Sequence, residues 1–347
     1  MISRVKVHNY EHEELKKASI ELFSKINSCE NDLNPLVVNV DYWFSIQIQK
    51  QLSKILYCLN EIADLKIKDF FSVCFSNCVK KVSFADQRVS VPVRLNPDRY
   101  PITHPLYSES KKKLENLVNA DVVERFKEVV EGNISRFKIL NELITEPYSA
   151  EVVSDDARAL TNKLGEKMTR IPDNSISLII TSPPYAGAQK YIRASSLNLG
   201  WLNLIRTTNT LKELDEKNIG RENYKKSDYF VLGKTDIVAA DILLEDIFKV
   251  NPLRAHIAGT YLKEMRLALT EAVRVLKPDG YFVLIVGNNQ VCGMEFETQE
   301  YLRQILEGLG LKTILRLIDD IQSYGLMTKR NKTASIITRE WVLVFKK

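Results

Sequence analysis

The sequence predicts an α/β fold, with helices gathered in residues 1–148 and a doubly wound, Rossmann-like sheet in residues 149–347. Two observations predict it. The first part carries apolar residues at three-and-four spacing, the mark of helices with one buried face. From about residue 150 the rhythm becomes short apolar runs alternating with amphipathic stretches, the order of a sheet flanked by helices.

Taken in order, EELKKASIELFSKI, SIQIQKQLSKILYCLNEIA, IKDFFSVCFSNCVKKV and LENLVNADVVERFKEVVEGNISRFKILNELI read as helices. Between the third and fourth, residues 88–113 hold four prolines and end in three lysines, which predicts an extended basic connection. AEVVS (150–154) is a predicted strand, DARALTNKLGEKM a helix, and SISLII (175–180) a strand that stops at TSPPY. QKYIRASSLNLGWLNLI is a helix, and a polar insert opens at Arg206 and runs to residue 257. AGTYLKEMRLALTEAVRVL is a long helix, KPDG a turn and YFVLIVG a strand. TQEYLRQILEGLG is the last helix, with LKTILRLID and SIITREWVLVFKK as the closing strands.

Composition narrows the function classes. With 45% hydrophobic and 27% charged residues the chain has the make-up of a globular protein. It lacks an apolar run of membrane-spanning length and a signal-peptide stretch, so a cytoplasmic location with no membrane partner is expected. Five cysteines without metal-ligand spacing fit reduced thiols, and no metal site is predicted. Cys74 and Cys78, one helical turn apart, read as buried helix positions. A net charge of +5 permits a polyanionic partner.

The chemistry lies in TSPPY. An exocyclic amine on a nucleobase is a poor nucleophile because its lone pair is delocalised into the ring. Two acceptors at its hydrogens draw it towards a pyramidal geometry. The Ser182 hydroxyl and the Pro183 carbonyl are such acceptors, and Pro183 and Pro184 hold the loop rigid before substrate arrives. Tyr185 offers a flat face for an unstacked base, worth about 1–3 kcal/mol. The carboxyl end of a strand is also where open α/β sheets bind ligands.

SDDARALTNKLGEKMTRIPDNSISLIITSPPY resembles the third and fourth motifs of the DNA amino-methyltransferases, which methylate cytosine-N4 or adenine-N6 with S-adenosylmethionine. LKEMRLALTEAVRVLKPDGYFVLIVGN and RNKTASIITREWVLVFKK are similar to later units of that family, so the likeness covers roughly residues 150–347. The resemblance implies a sheet of the family's third to seventh strands. It also implies a target-base pocket of Ser182, Pro183, Pro184 and Tyr185, and cofactor contacts from Asp156 and Thr181. Serine in the first motif position favours cytosine-N4 over adenine-N6. The implied reaction is direct methyl transfer, and no Pro-Cys pair is present for a covalent route.

The family's glycine-rich cofactor loop has no counterpart, since no glycine precedes Gly132. NDLNPL (31–36), VGNNQVCG (286–293) and GLG (308–310) do not replace it; the last reads as a helix cap. A sheet without its central strands would leave unpaired inner edges. The chain is therefore expected to be either an amino-terminally shortened form or, the favoured reading, the catalytic half of a split enzyme acting on double-stranded DNA, with a second polypeptide supplying the glycine loop. A non-catalytic DNA-binding or regulatory subunit, and an RNA or protein-amide methyltransferase, are the alternatives. DNA contact is assigned to Arg206, Arg221, Lys225 and Lys226 of the insert and to Lys329 and Arg330 near the pocket. Residues 88–113, through Arg88, Arg94 and Arg99, are a second candidate.

Overall fold

A computed structural model of the protein describes residues 1–144, 149–164, 167–187, 190–205, 207–321 and 337–347. The chain divides into two compact units, Met1–Val152 with Ile192–Lys212, and Val153–Tyr191 with Glu213–Lys347. The division thus falls four residues beyond the expected boundary at 148/149, and the stretch after TSPPY belongs to the helical unit.

The helical unit contains α1 (Ile2–Val7), α2 (His12–Ser28), α3 (Val40–Trp43), α4 (Ile46–Asn60), α5 (Leu65–Lys81), α6 (Pro105–Val118), α7 (Val122–Leu143) and all but the first residue of α8 (Tyr191–Trp201). Side-chain caps set several starts: Ser45 accepts from the Ile48 amide, and Asp64 from the Lys66 and Ile67 amides. The stretch 114–144, expected as one helix, is broken. Asp121 caps α7 through the Glu124 amide, while Gln51 bonds both the Val122 amide and the Ala120 carbonyl. The connection 88–113 is extended only in its first part. Pro105 opens α6, where its missing amide costs nothing, and His104 Nδ1 accepts from the Leu106 amide. Phe44, Phe71, Phe75, Phe126 and Trp201 fill the core. Gly200 lets α8 approach the Leu36 backbone, whose amide donates to the Gly200 carbonyl at 3.2 Å, so NDLNPL is packing rather than a ligand-binding strand end. Cys74 and Cys78 lie in this core with thiols pushed up to about 12 by burial, which makes them poor metal ligands.

The second unit holds β1 (Thr161–Leu164), β2 (Lys167–Arg170), β3 (Ile176–Thr181), the end of α9 (Thr208–Glu216), α10 (Val238–Val250), α11 (Pro252–Val275), β4 (Leu276–Gly287), β5 (Asn289–Val291), β6 (Met294–Phe296), α12 (Thr298–Gly308), β7 (Lys312–Asp320) and β8 (Arg339–Lys346). The main sheet has the order β3-β4-β8-β7, with β3 parallel to β4 and the other pairs antiparallel. Ile179, Phe282, Leu284, Val286, Leu343 and Phe345 point to one face and pack against residues of α10, α11 and α12. KPDG is a bulge inside β4: the register slips between Leu276 and Tyr281, and Asp279 takes φ 62° while Lys346 pairs with it at 2.9 Å.

Two expected elements are replaced. AEVVS forms no strand, so among the described residues the sheet has no third-strand counterpart; these residues form four contiguous strands with β3 paired on one side, not a sheet split by a central gap. DARALTNKLGEKM is not a helix but a turn leading into the β1–β2 hairpin. The helix loses because side chains capture its amides. Asp156 accepts from the Arg158 amide at 2.9 Å, and Glu271 of α11 accepts from the Leu160 amide at 3.1 Å. GLG does end α12, with Gly310 at φ 94°, and VGNNQVCG is the β5–β6 hairpin turning at Cys292 and Gly293.

Glu271 ties this corner together through Arg274, Arg170 and the Leu160 amide, and the Arg274 hydrogen bond leads in lowering its pKa to about 2. A carboxylate depressed from about 4.3 stabilises the fold above that value and loses its contribution as pH falls towards 2. Glu271→Gln is therefore expected to lower the urea midpoint at pH 7. It should also flatten the fall in midpoint between pH 4 and pH 2 relative to the parent protein, measured by fluorescence.

Candidate functional site

Ser182–Tyr185 leaves the carboxyl end of β3. Ser182 and Pro184 line a cavity of about 570 Å³ with Asp155, Asp156, Tyr191 and Lys217. The strand delivers the serine, the Asp155–Asp156 turn forms a second wall, and the residues after α9 form a third. The predicted Asp156 and Ser182 are thus brought to one place. Ser182 is exposed and Pro183 buried, so the hydroxyl faces out while its neighbour anchors the loop.

The loop is fixed by partners that sequence reasoning missed. The Tyr185 hydroxyl donates to Glu340 of β8 at 2.7 Å. Asn289 Nδ2 donates to the Ala186 carbonyl at 3.1 Å, and the Gly187 amide to the Gly220 carbonyl at 3.2 Å. Glu222, just beyond Gly220, pairs with Lys190 at 3.2 Å and Arg254 at 3.1 Å. Burial and the Glu340 bond raise the Tyr185 pKa, so the phenol stays neutral. A lone acid at the start of an otherwise apolar strand, and paired asparagines at a strand end, were the only sequence signals for Glu340 and Asn289.

Other predicted site residues are placed differently. Asp156 is held by Arg158 at 3.0 Å, whose hydrogen bond lowers its pKa and occupies its carboxylate. Asp155 is exposed and makes no hydrogen bond or ion pair among the described residues. Thr181 is half-buried on β3, and Tyr185 lies outside the cavity lining with its ring against Gly287. Arg221 is half-buried. Its guanidinium stacks on Tyr224 at 4.5 Å and donates to the Glu216 carbonyl at 2.6 Å. Lys225 and Lys226 are exposed, beside the exposed Phe230. Arg206, Lys329 and Arg330 lie outside the described residues. Of the second candidate stretch, Arg88 is paired with Asp86 at 2.7 Å and Arg94 stacks on Tyr42 and Phe84, so both are spent internally.

The chain resembles a type II methyltransferase. It is 24% identical over 333 residues to M.MvaI of Kocuria varians, a match covering 88% of this chain and 66% of that protein. The chain therefore spans just under two thirds of that relative's length. No protein-family model matches the sequence. Among solved structures, TTHA0409 of Thermus thermophilus, described as a candidate DNA modification methylase, overlaps in its complex with S-adenosyl-L-methionine at a TM-score of 0.25 and 18% identity, covering 51% of this chain and 49% of that one. A second structure of the same protein gives 0.25, with 48% of that chain covered. Overlaps that weak carry no functional argument.

Gly220 has φ 80°, and a Cβ there would sit 2.8 Å from the Tyr185 carbonyl. Gly220→Ala is expected to destabilise the protein by about 1–2 kcal/mol from the left-handed backbone, with the clash adding to it. The urea midpoint and protease susceptibility at residues 182–187 measure it.

Proposed function

We propose that Val153–Tyr191 with Glu213–Lys347 is the catalytic half of an S-adenosylmethionine-dependent DNA methyltransferase. Its substrate is the exocyclic amine of a base flipped out of double-stranded DNA, cytosine-N4 in preference to adenine-N6. The observation that carries this reading is the shared cavity of Ser182, Pro184 and the acidic turn at the carboxyl end of a parallel strand. The likeness to M.MvaI over most of the chain supports it.

The residues present fit one end of the cofactor. An unpaired Asp155 beside apolar Pro184 suits an adenine amine and ring, and with Asp156 engaged by Arg158, Asp155 takes that contact. The methionine end has no glycine cradle among the described residues. Gly187 and Gly220 are used to tie the loop, Gly293 to turn a hairpin and Gly310 to cap a helix. This supports a second polypeptide as the source of the glycine loop.

When bound, the cofactor supplies an electrophilic methyl on sulfonium. The Ser182 hydroxyl and the Pro183 carbonyl accept the hydrogens of the target amine and turn its lone pair towards that methyl. Held against Asp155 and Pro184, the cofactor would supply the methyl and keep the sulfur's electron pair as a thioether, and the amine proton displaced would leave to water. Glu340 and Asn289 keep the loop from yielding to the incoming base. Lys225 and Lys226 supply phosphate contact.

Single-molecule sequencing of DNA from methylation-deficient cells that express the chain with its partner tests the reading. Modified cytosine at one recurring sequence is expected, and Ser182→Ala is expected to lower single-turnover transfer by about 10²–10³-fold. Unmodified DNA with retained DNA binding would assign the chain to a non-catalytic subunit.

A further inference from the structure

We infer that Phe230 and Val231 form a wedge that enters duplex DNA beside the target base pair and fills the space the flipped base leaves, with Lys225, Lys226 and Lys234 on the flanking phosphates. The inference rests on the DNA reading of the chain for its partner, and it gives the tip of the insert a task which that reading does not assign.

All of the residues concerned belong to the second unit. The segment from Arg221 to Thr235 is tied to α11 at both ends. Tyr224 sets its ring edge-on to His256 with centroids 4.5 Å apart, Tyr229 meets the same imidazole at 6.3 Å, and Arg266 donates to the Thr235 carbonyl at 3.0 Å. Asp241 accepts from both the amide and the hydroxyl of Thr235, and Asp228 accepts from the Lys225 amide across a turn of 3₁₀ helix, Lys226–Tyr229. The span between these ties is therefore short and fixed. At its tip two bulky apolar side chains stand in solvent: Phe230 is 68% exposed and Val231 79%, while Tyr229 and Leu232 on either side are half-buried. A chain that only had to turn here would carry Gly, Asn, Asp or Ser.

Charge selects the partner. Lys225, Lys226 and Lys234 bracket the tip, all exposed, and Asp228, the one acid between them, is engaged by the Lys225 amide and the Ser227 hydroxyl. An apolar point ringed by cations suits stacked bases between phosphate strands, where the apolar groups open a base step and the cations hold the backbone. An apolar face of another protein would gain nothing from the lysines. Position agrees with the task. Ile257 and Arg254 of α11 lie against Gly187 at the end of the Ser182 loop, and His256, on which Tyr229 packs, is in the same helical turn. The segment that bears the tip also starts from the cavity, since Lys217, Asn218 and Ile219 line it and the Gly187 amide bonds to the Gly220 carbonyl. Pocket and wedge are thus held by one helix, and a base taken by the first leaves its gap near the second.

The test is equilibrium binding of the full chain, by fluorescence anisotropy, to a matched DNA duplex and to the same duplex with one abasic site, which presents the gap without the cost of unpairing. The parent chain is expected to prefer the abasic duplex by about tenfold or more. Phe230→Ala should bring the two affinities within about twofold of each other, and Phe230→Trp should keep the preference. Phe230 is exposed, so neither substitution opens the core. Lys225→Gln combined with Lys226→Gln should weaken binding to both duplexes alike and lower the salt slope by about 2. A preference that Phe230→Ala leaves unchanged, no preference in the parent chain, or no binding to DNA overturns the proposal. The measurement needs no methyl transfer, which separates the two readings. A Phe230-dependent preference in a chain that modifies no base keeps the wedge and removes the methyltransferase assignment, and methylation with a preference that ignores Phe230 does the reverse.

Discussion

The parallel pairing of Ile176–Thr181 with β4 is the constraint on which the second unit depends. Because Ile179 and Thr181 sit level with Phe282 and Leu284, the end of β3 is fixed relative to the core under α11, and Ser182 starts from a known height. From there the loop cannot wander. Its phenol is bonded to β8, its Ala186 carbonyl to the residues after β4, and its Gly187 amide to the segment after α9. Three parts of the chain distant in sequence thus converge on the six residues 182–187. An acceptor pair that must meet an amine within hydrogen-bond distance needs that degree of fixing before the ligand arrives.

The strands that were legible in the sequence were those of the main sheet. SISLII, YFVLIVG and LKTILRLID carry enough branched and aromatic residues to declare themselves, and the Gly310 cap was readable from GLG. The stretch 156–168 was not, because the Leu160 amide within it is captured by Glu271, more than a hundred residues later. Local propensity favoured a helix there, and tertiary hydrogen bonds to side chains overrode it. The break between α6 and α7 was hidden for the same reason, since Gln51 makes it from another helix.

At the site, the residue types were legible and their engagements were not. Arg221 and Asp156 have the right chemistry for phosphate and adenine, yet each is engaged by a neighbour, Tyr224 and Arg158 respectively, with the Arg221 Nε left without a hydrogen-bond partner among the described residues. A one-dimensional reading ranks side chains by what they could bind and cannot subtract those already bound. The missing glycine loop was visible as an absence in composition.

The strand β3 also bears on how the protein is kept soluble while it is being made. Ile-Ser-Leu-Ile-Ile-Thr is six residues with strong strand preference, no charge and no proline, which is the make-up of a segment that stacks into cross-β aggregates when left uncovered. Chains synthesised in excess of whatever shields that segment would be drawn into insoluble material or degraded. Relative dosage, as much as folding, would then set how much active protein a cell retains.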